Sequence, residues 1–287
     1  MKIVRNKKNI SYSSSSAMIH FRSQFFLIGD DAPEILCLDA DWKEIKRIKI
    51  LDYPAVRIPK PIKPDLEAAL VWNDKLYLLG SGSKLPQRSF IFEIDLENDK
   101  VSQLDNLLNY ERLNSDKRIT ELNMESALMI NHKLLLINKG NISNSNSLIW
   151  TQPEFLLGDD NVDFDFIPIV LPDTLIGYGI ADATYIAEDD VLLLTATFEN
   201  TTNAYDDGEI GGSVFIRIDE AQKELAASVL RIENYIDLNR VSPEFNQQKI
   251  EAVCLCQKTK SHYNLFLAAD NDDGLSHLFE IQIKRNS

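Results

Sequence analysis

The sequence has 287 residues, 44% of them hydrophobic, and carries a formal net charge of −14. A surface that binds nucleic acid needs clustered Lys and Arg, so this acidic balance argues against nucleic acid as the main partner. No run approaches ~18 apolar residues and the N-terminus lacks an apolar signal core. We therefore expect no membrane contact, a cytoplasmic location, and a monomer with a single domain over residues 1–287.

Five segments share one pattern, in which a polar residue opens an apolar run, a polar turn follows, and a second apolar run ends in small or acidic residues. In chain order the segments are 13–31, 63–83, 122–141, 179–200 and 249–273. The polar residues that open them are, in the same order, Ser16, Glu67, Glu125, Asp182 and Glu251. They recur every ~50 to 70 positions, which is typical of β-propeller blades of about four short strands with loop insertions.

Further runs with alternating or β-branched residues follow each segment and predict a third strand and then an outer strand. The predicted outer strands are residues 44–51, 100–104, 164–170 and 228–235. The fifth segment has none after it, so we assign residues 1–9 as the outer strand of the last blade; a disordered basic tail is the alternative. The sequence thus predicts an all-β fold, a five-bladed β-propeller with four antiparallel strands per blade, closed by the N-terminal strand.

The innermost strand of each blade lines the central channel of a propeller, so equivalent residues of the five segments meet around the axis. Carboxyl groups a few Å apart cannot all stay ionised unless a counter-charge is present. Ca²⁺ takes six to eight oxygen ligands and would resolve the conflict. We therefore predict an axial Ca²⁺; water, with two of the acids protonated, is the alternative. The predicted metal ligands are Ser16, Glu67, Glu125, Asp182 and Glu251.

Short motifs at these positions resemble the inner strands of the calcium-activated nucleotidases, the apyrase family. The motifs are SAM at 16–18, LEAAL at 66–70, MESAL at 124–128 and IEAV at 250–253. The resemblance implies a five-bladed propeller whose axial calcium is held by Glu and Ser, with Ser where this chain has Asp182. The runs KPDLEA, LGSGS and ELNMES also resemble a bacterial group of phytase-like propellers without a settled activity.

The loops after the second strands share a face with the acidic ring, because antiparallel pairing puts the end of one strand beside the start of the other. Basic and acidic residues meet there and suit an anionic ligand such as a phosphate ester. The predicted ligand-binding residues are Lys63, Arg88, Lys139 and Glu199. The apyrase resemblance implies that Asp30 and Asp31, in its aspartate-rich loop, position the attacking water.

Three functions follow from this sequence. The first is a calcium-dependent hydrolase of phosphoesters or phosphoanhydrides. The second is a non-catalytic propeller in which the metal is structural and the acidic rim binds a partner or ligand. The third is a glycosidase, which requires two carboxyl groups about 5 to 9.5 Å apart over a cleft.

Overall fold

The structure is a computed structural model that describes residues 1–206, 208–272 and 274–285. Its strands form five sheets arranged as the blades of a β-propeller, antiparallel apart from one short outer pair, which confirms the predicted fold class. The chain enters each blade at the central axis and runs outward, so sequence order and strand order coincide in blades 1 and 2.

The bounds of the strands follow the five repeats. The chain begins with β1 (Lys2–Ile10). Blade 1 contains β2 (Ser15–Phe21), β3 (Gln24–Gly29), β4 (Glu34–Leu38) and β5 (Glu44–Lys49). Blade 2 contains β6 (Leu66–Trp72), β7 (Lys75–Gly80), β8 (Phe90–Asp95) and β9 (Lys100–Asp105). Blade 3 follows the helix α1 (Leu107–Ser115) and contains β10 (Met124–Ile130), β11 (Lys133–Asn138), β12 (Ser147–Thr151) and β13 (Asp165–Val170).

The last two blades are less regular at their outer edges. Blade 4 contains β14 (Tyr178–Ile186), β15 (Val191–Glu199) and β16 (Ile210–Ile218), after which come α2 (Ala221–Leu225) and two short strands, β17 (Leu230–Arg231) and β18 (Ile236–Asp237). Blade 5 follows α3 (Leu238–Val241) and contains β19 (Ile250–Lys258), β20 (His262–Asp270) and β21 (Ser276–Lys284). The 3-10 turns are Pro153–Leu157, Asp173–Leu175, Ala187–Asp189 and Pro243–Phe245.

The N-terminal strand closes the ring, as predicted. β1 pairs antiparallel with β21, with Ile3 opposite Ile281. Arg5 of β1 forms an ion pair with Glu280 (2.7 Å), and its guanidinium lies 4.0 Å from the ring centre of Trp42 in blade 1. The basic residues of this segment therefore contribute to blade closure and do not form a free tail.

The outer edge of blade 4 differs from the prediction, which placed its outer strand at residues 228–235. Instead β17 pairs in parallel with β13 of blade 3, and β18 completes blade 4. Leu230 and Ile232 are 1% and 5% exposed and belong to the core between blades 3 and 4. This segment pairs with blade 3 because two of its apolar side chains are buried there. Burial of each side chain stabilises the fold by about 1.5–3 kcal/mol.

Apolar clusters between neighbouring blades hold the inner strands in place. Leu135 of blade 3, for example, packs in one cluster with Ile180, Leu194 and Ile216 of blade 4. All four are fully buried. This packing fixes the starts of the inner strands around the axis, where the candidate site lies.

Candidate ligand and metal site at the propeller axis

Every inner strand has a β-bulge in its first half, in which one residue has no partner on the neighbouring strand. In β6, for example, Leu66 pairs with Gly80 and Ala68 pairs with Leu79, so Glu67 is the extra residue. The extra residues of the five blades are Ser16, Glu67, Glu125, Ala181 and Glu251. Bulges bend a strand and re-aim a side chain, and they are frequent beside functional sites.

The structure places Asp182 differently from the other four predicted metal ligands. In blade 4 the bulge residue is Ala181, whereas Asp182 pairs with Thr195, one position farther along the strand. Its carboxylate accepts hydrogen bonds from Ser126 Oγ and Val253 N, both at 2.7 Å. Burial raises its pKa to about 7. Asp182 thus links three inner strands and lines a separate, mostly apolar cavity at the other end of the channel.

The other three predicted acids come together at the axis. One carboxylate oxygen from each of Glu67, Glu125 and Glu251 lies within 4.8 Å of the others. Glu125 and Glu251 are each 3% exposed, and Ser16 lines the same cavity. These three glutamates, which we call the axial triad, form a candidate metal-binding cluster.

The axial triad is only partly neutralised by lysines. Lys139 Nζ lies 3.2 Å from Glu125 and 3.3 Å from Glu251, and Lys249 Nζ lies 3.9 Å from Glu251. Burial opposes the ionisation of Glu251, but the two lysines outweigh it and lower its pKa. Burial, together with neighbouring carboxylates, raises the pKa of Glu67 well above its usual range.

Glu125 is the third member of the axial triad. Burial raises its pKa to about 8, against the opposing effect of Lys139. Its Oε2 atom is buried and has no hydrogen-bond partner within the described part of the chain. A carboxylate oxygen buried without a donor is costly unless a cation or proton compensates it.

A second acidic group adjoins the triad through Glu67, because oxygens of Asp30, Asp65 and Glu67 also lie within 4.8 Å of one another. Asp65 is the best compensated of them. Lys63 Nζ lies 2.8 Å from it, and Arg88 Nη1 donates a 2.6 Å hydrogen bond to it. Burial opposes its ionisation, yet these two cations lower its pKa.

The two predicted catalytic residues have different surroundings. Asp30 lines the axial cavity, contacts Lys63, and has a buried Oδ1 with no hydrogen-bond partner among the described residues. Burial raises its pKa to about 6. Asp31 lies outside the residues that line this cavity and accepts hydrogen bonds from Ser13 Oγ (3.0 Å) and Arg57 Nε (2.7 Å).

All four predicted ligand-binding residues, Lys63, Arg88, Lys139 and Glu199, line the axial cavity. The three cations among them are ion-paired with carboxylates. Glu199 accepts a 2.8 Å hydrogen bond from Gly208 N and lies 3.7 Å from Lys249 Nζ. The cavity has a volume of about 100 Å³, below the ~300–1,000 Å³ of pockets that enclose drug-sized ligands.

Two residues at this site were missed by the sequence analysis. Asp65 holds both Lys63 and Arg88, and only its position next to the motif LEAAL hinted at a role. Tyr205 comes from the insertion between β15 and β16 and lines the mouth of the cavity. Ala204 N of the same loop donates a 2.9 Å hydrogen bond to the Glu121 carboxylate, which holds the loop in place.

Residues 11–283 match a protein family described as a family of unknown function, DUF6929. The chain belongs to this family. No curated protein sequence matches it. Nothing in the family match supports the resemblance to apyrases or phytase-like propellers, which stays a prediction.

Several solved structures are similar to this DUF6929 chain at low sequence identity. The crystal structure of glutaminyl cyclase from Myxococcus xanthus has a TM-score of 0.56 and 10% identity, over 99% of this chain and 97% of that one. A DUF4221 member from Bacteroides vulgatus has a TM-score of 0.43 and 10% identity, over 100% and 96% of the two chains. The GH32 β-fructofuranosidase of Bombyx mori in complex with sucrose has a TM-score of 0.48 and 10% identity, over 97% and 62%. The first of these supports the fold alone.

Among the helices that the structure describes, none has the length and apolar character needed to cross a membrane.

Proposed function

We propose that the protein binds Ca²⁺ at the axial triad and that the cavity above it binds the charged group of a small anionic ligand. The observation that carries this proposal is the convergence of oxygens from three glutamates, two of them buried, within 4.8 Å, together with a buried Glu125 Oε2 that has no hydrogen-bond partner among the described residues. The donors are all oxygens, which suits a hard cation such as Ca²⁺.

Charge counting supports a cation in addition to the lysines. The axial triad brings three carboxylates, and Lys139 and Lys249 offset two of them at most. Asp65 and Asp30 of the second acidic group already use Lys63 and Arg88. One acid at the axis is therefore left over, and it must be protonated or meet a further cation.

The finer proposal is hydrolysis of a phosphoester. A bound calcium ion would neutralise charge on the phosphate group. Asp30 is the candidate base for the attacking water, since it lines the cavity and its pKa of about 6 is close to neutral pH. Asp31 is better suited to positioning, because its oxygens are occupied by Arg57 and Ser13. The small cavity admits a phosphate group, so the rest of the ligand would lie in the mouth.

A panel of phosphoesters, beginning with para-nitrophenyl phosphate, tests the activity in calcium and in chelator. We expect turnover only with calcium, a loss of kcat of about a hundredfold or more in Asp30→Asn, and a smaller loss in Asp31→Asn. The control is Asp74→Asn, whose carboxylate makes an exposed ion pair with Arg22. Equal rates in Asp30→Asn and the parent protein would overturn the role of Asp30.

A non-catalytic propeller with a structural cation is the second candidate. One specific observation favours it, namely that Lys63, Arg88 and Lys139 are already paired with carboxylates and are not free to bind an anion inside the cavity. If no compound of the panel is hydrolysed while calcium still stabilises the protein, this second function becomes the better account.

A further inference from the structure

The central channel contains a second cavity at the end opposite the axial triad, which we call the distal cavity. All five inner strands line it, from Ala17 in β2 to Leu255 in β19. Its volume of about 350 Å³ falls within the ~300–1,000 Å³ of pockets that enclose small organic ligands. Most of its lining residues are apolar, and Val71 and Leu128 are only half-buried there. The distal cavity therefore offers room and apolar surface for a small organic molecule.

Two polar side chains of this cavity are fixed to the same strand, β19. The Asp182 carboxylate accepts a 2.7 Å hydrogen bond from Val253 N, and His20 Nδ1 lies 3.1 Å from the carbonyl oxygen of Leu255. Val253 and Leu255 are two positions apart, so these anchor points are about 7 Å apart along the strand. Asp182 and His20 thus come from blades 4 and 1, yet they border one wall of the distal cavity.

Both side chains can accept a further hydrogen bond. The Leu255 carbonyl can only accept, so His20 Nδ1 carries the ring proton and Nε2 is an acceptor in the neutral ring. Burial lowers the pKa of His20, which favours this neutral form. Nε2 makes no hydrogen bond with a residue that the structure describes. A carboxylate has about four acceptor sites, and the hydrogen bonds that Asp182 accepts from Ser126 Oγ and Val253 N leave part of this capacity free.

The charge of the distal cavity selects among classes of ligand. Asp182 is its one acid, and no Lys or Arg stands among the described residues that line it. Asp182 forms no ion pair within the described part of the chain, and burial raises its pKa to about 7. An anionic ligand would therefore meet like charge without a counter-ion. A calcium ion takes six to eight oxygen ligands, whereas this cavity supplies one carboxylate.

We infer that the distal cavity binds a small primary amine with an apolar body. An ammonium group brings one positive charge and three N–H donors, which match the Asp182 carboxylate and His20 Nε2. The apolar body would cover the half-buried apolar side chains, and removal of that surface from water stabilises the complex. This site goes beyond the proposed function, because it uses neither the axial triad nor the cavity above it.

The test is calorimetric titration of the full chain in chelator at pH 8 with 2-phenylethylamine, and with 2-phenylethanol, which has a hydroxyl in place of the ammonium. At this pH the Asp182 carboxyl is mostly ionised and an alkylamine keeps its proton. We expect the parent protein to bind the amine about tenfold or more tightly than the alcohol, because the alcohol lacks the charged hydrogen bond to Asp182.

Two variants test the two polar residues. Asp182→Asn removes the charge and should weaken amine binding about tenfold or more, which brings it close to the binding of the alcohol. His20→Phe keeps a ring beside Phe25 but removes Nε2, and should weaken amine binding by a smaller factor. The matched control is Asp52→Asn, the same change at a side chain that is 95% exposed and outside the cavity, which should bind the amine like the parent.

Four results would overturn the inference: no amine binding by the parent, equal affinity for amine and alcohol, equal loss in Asp182→Asn and Asp52→Asn, or unchanged amine affinity in His20→Phe. Circular dichroism and melting curves of each variant identify a fold defect, and the comparison of amine with alcohol needs no substitution. Saturating CaCl₂ should leave amine binding unchanged, and its loss in calcium would place the amine at the axial triad and overturn the inference as well. Amine binding without a calcium response retains the distal site and removes the axial metal.

Discussion

Asp65 and Glu67 are two residues apart in the chain and both lie at the axis, yet their electrostatic surroundings are opposite. Asp65 is held by Lys63 and Arg88, which lower its pKa against the effect of burial. Glu67 makes no side-chain hydrogen bond or ion pair with a described residue, and burial together with Glu125 raises its pKa well above its usual range. The comparison separates a carboxylate that stabilises the fold from one that is available to a ligand.

The largest effect that this comparison predicts is on Asp65. The change Asp65→Asn leaves Arg88 buried without its charged partner and Lys63 with Asp30 alone, and removing one member of a buried ion pair costs about 3–5 kcal/mol. Urea unfolding at pH 7 measures this loss. Asp74→Asn removes an aspartate from an exposed ion pair and should change stability little. A similar small loss in both variants would mean that Asp65 is not the anchor of this site.

A medium effect is expected at Asp182, which is buried but hydrogen-bonded without a cation. In Asp182→Asn the amide NH₂ faces either Ser126 or the N–H of Val253, so one acceptor is lost. An unsatisfied buried group costs about 1–3 kcal/mol. The melting temperature should fall while its response to calcium stays. Loss of the calcium response would instead return Asp182 to the metal site.

The comparison also predicts a pH dependence of stability in chelator. The pKa of Glu125 is raised from 4.5 to about 8, so between these values the folded protein keeps a proton that the unfolded chain has lost. The free energy of unfolding therefore falls as pH rises through this window, by up to ~1.4 kcal/mol per pH unit for one such group. Asp65, with its lowered pKa, has the opposite sign and loses its contribution as pH falls below about 4.

Urea unfolding at pH 5, 6, 7 and 8 measures this trend. In calcium, the free energy of unfolding should fall less steeply as pH rises, because calcium binds the ionised carboxylates and so favours their charged form. Stability in chelator that rises from pH 5 to pH 8 would contradict the raised pKa values of the axial carboxyl groups.

Most of the fold was predictable because its signals are local. Five apolar hairpins recur along the chain, and the residues of β1 continue the pattern that blade 5 lacks. The outer strand of blade 4 was not predictable in this way. The destination of Leu230 and Ile232 depends on the apolar surface of blade 3, which a sequence window does not contain.

The site was predictable where blades repeat their geometry and not where they depart from it. Glu67 and Glu125 stand at the same distance before their turn residues, Asn73 and Asn131. The same distance before the turn that begins at Ala187 leads to Ala181, so counting back from the turn would have placed Asp182 outside the ring. Tyr205 had no such signal, since it comes from an insertion and its partners are distant in sequence.

Calorimetric titration with CaCl₂ at pH 7 tests the central claim most directly, using the parent protein, Glu125→Gln and Asp182→Asn. The account predicts saturable binding by the parent, a loss of at least about tenfold in affinity in Glu125→Gln, and affinity close to the parent in Asp182→Asn. Calcium at a hundred times its Kd should also stabilise the parent by about 2.7 kcal/mol. Absence of binding heat together with equal melting curves in calcium and chelator, or unchanged affinity in Glu125→Gln, would contradict it.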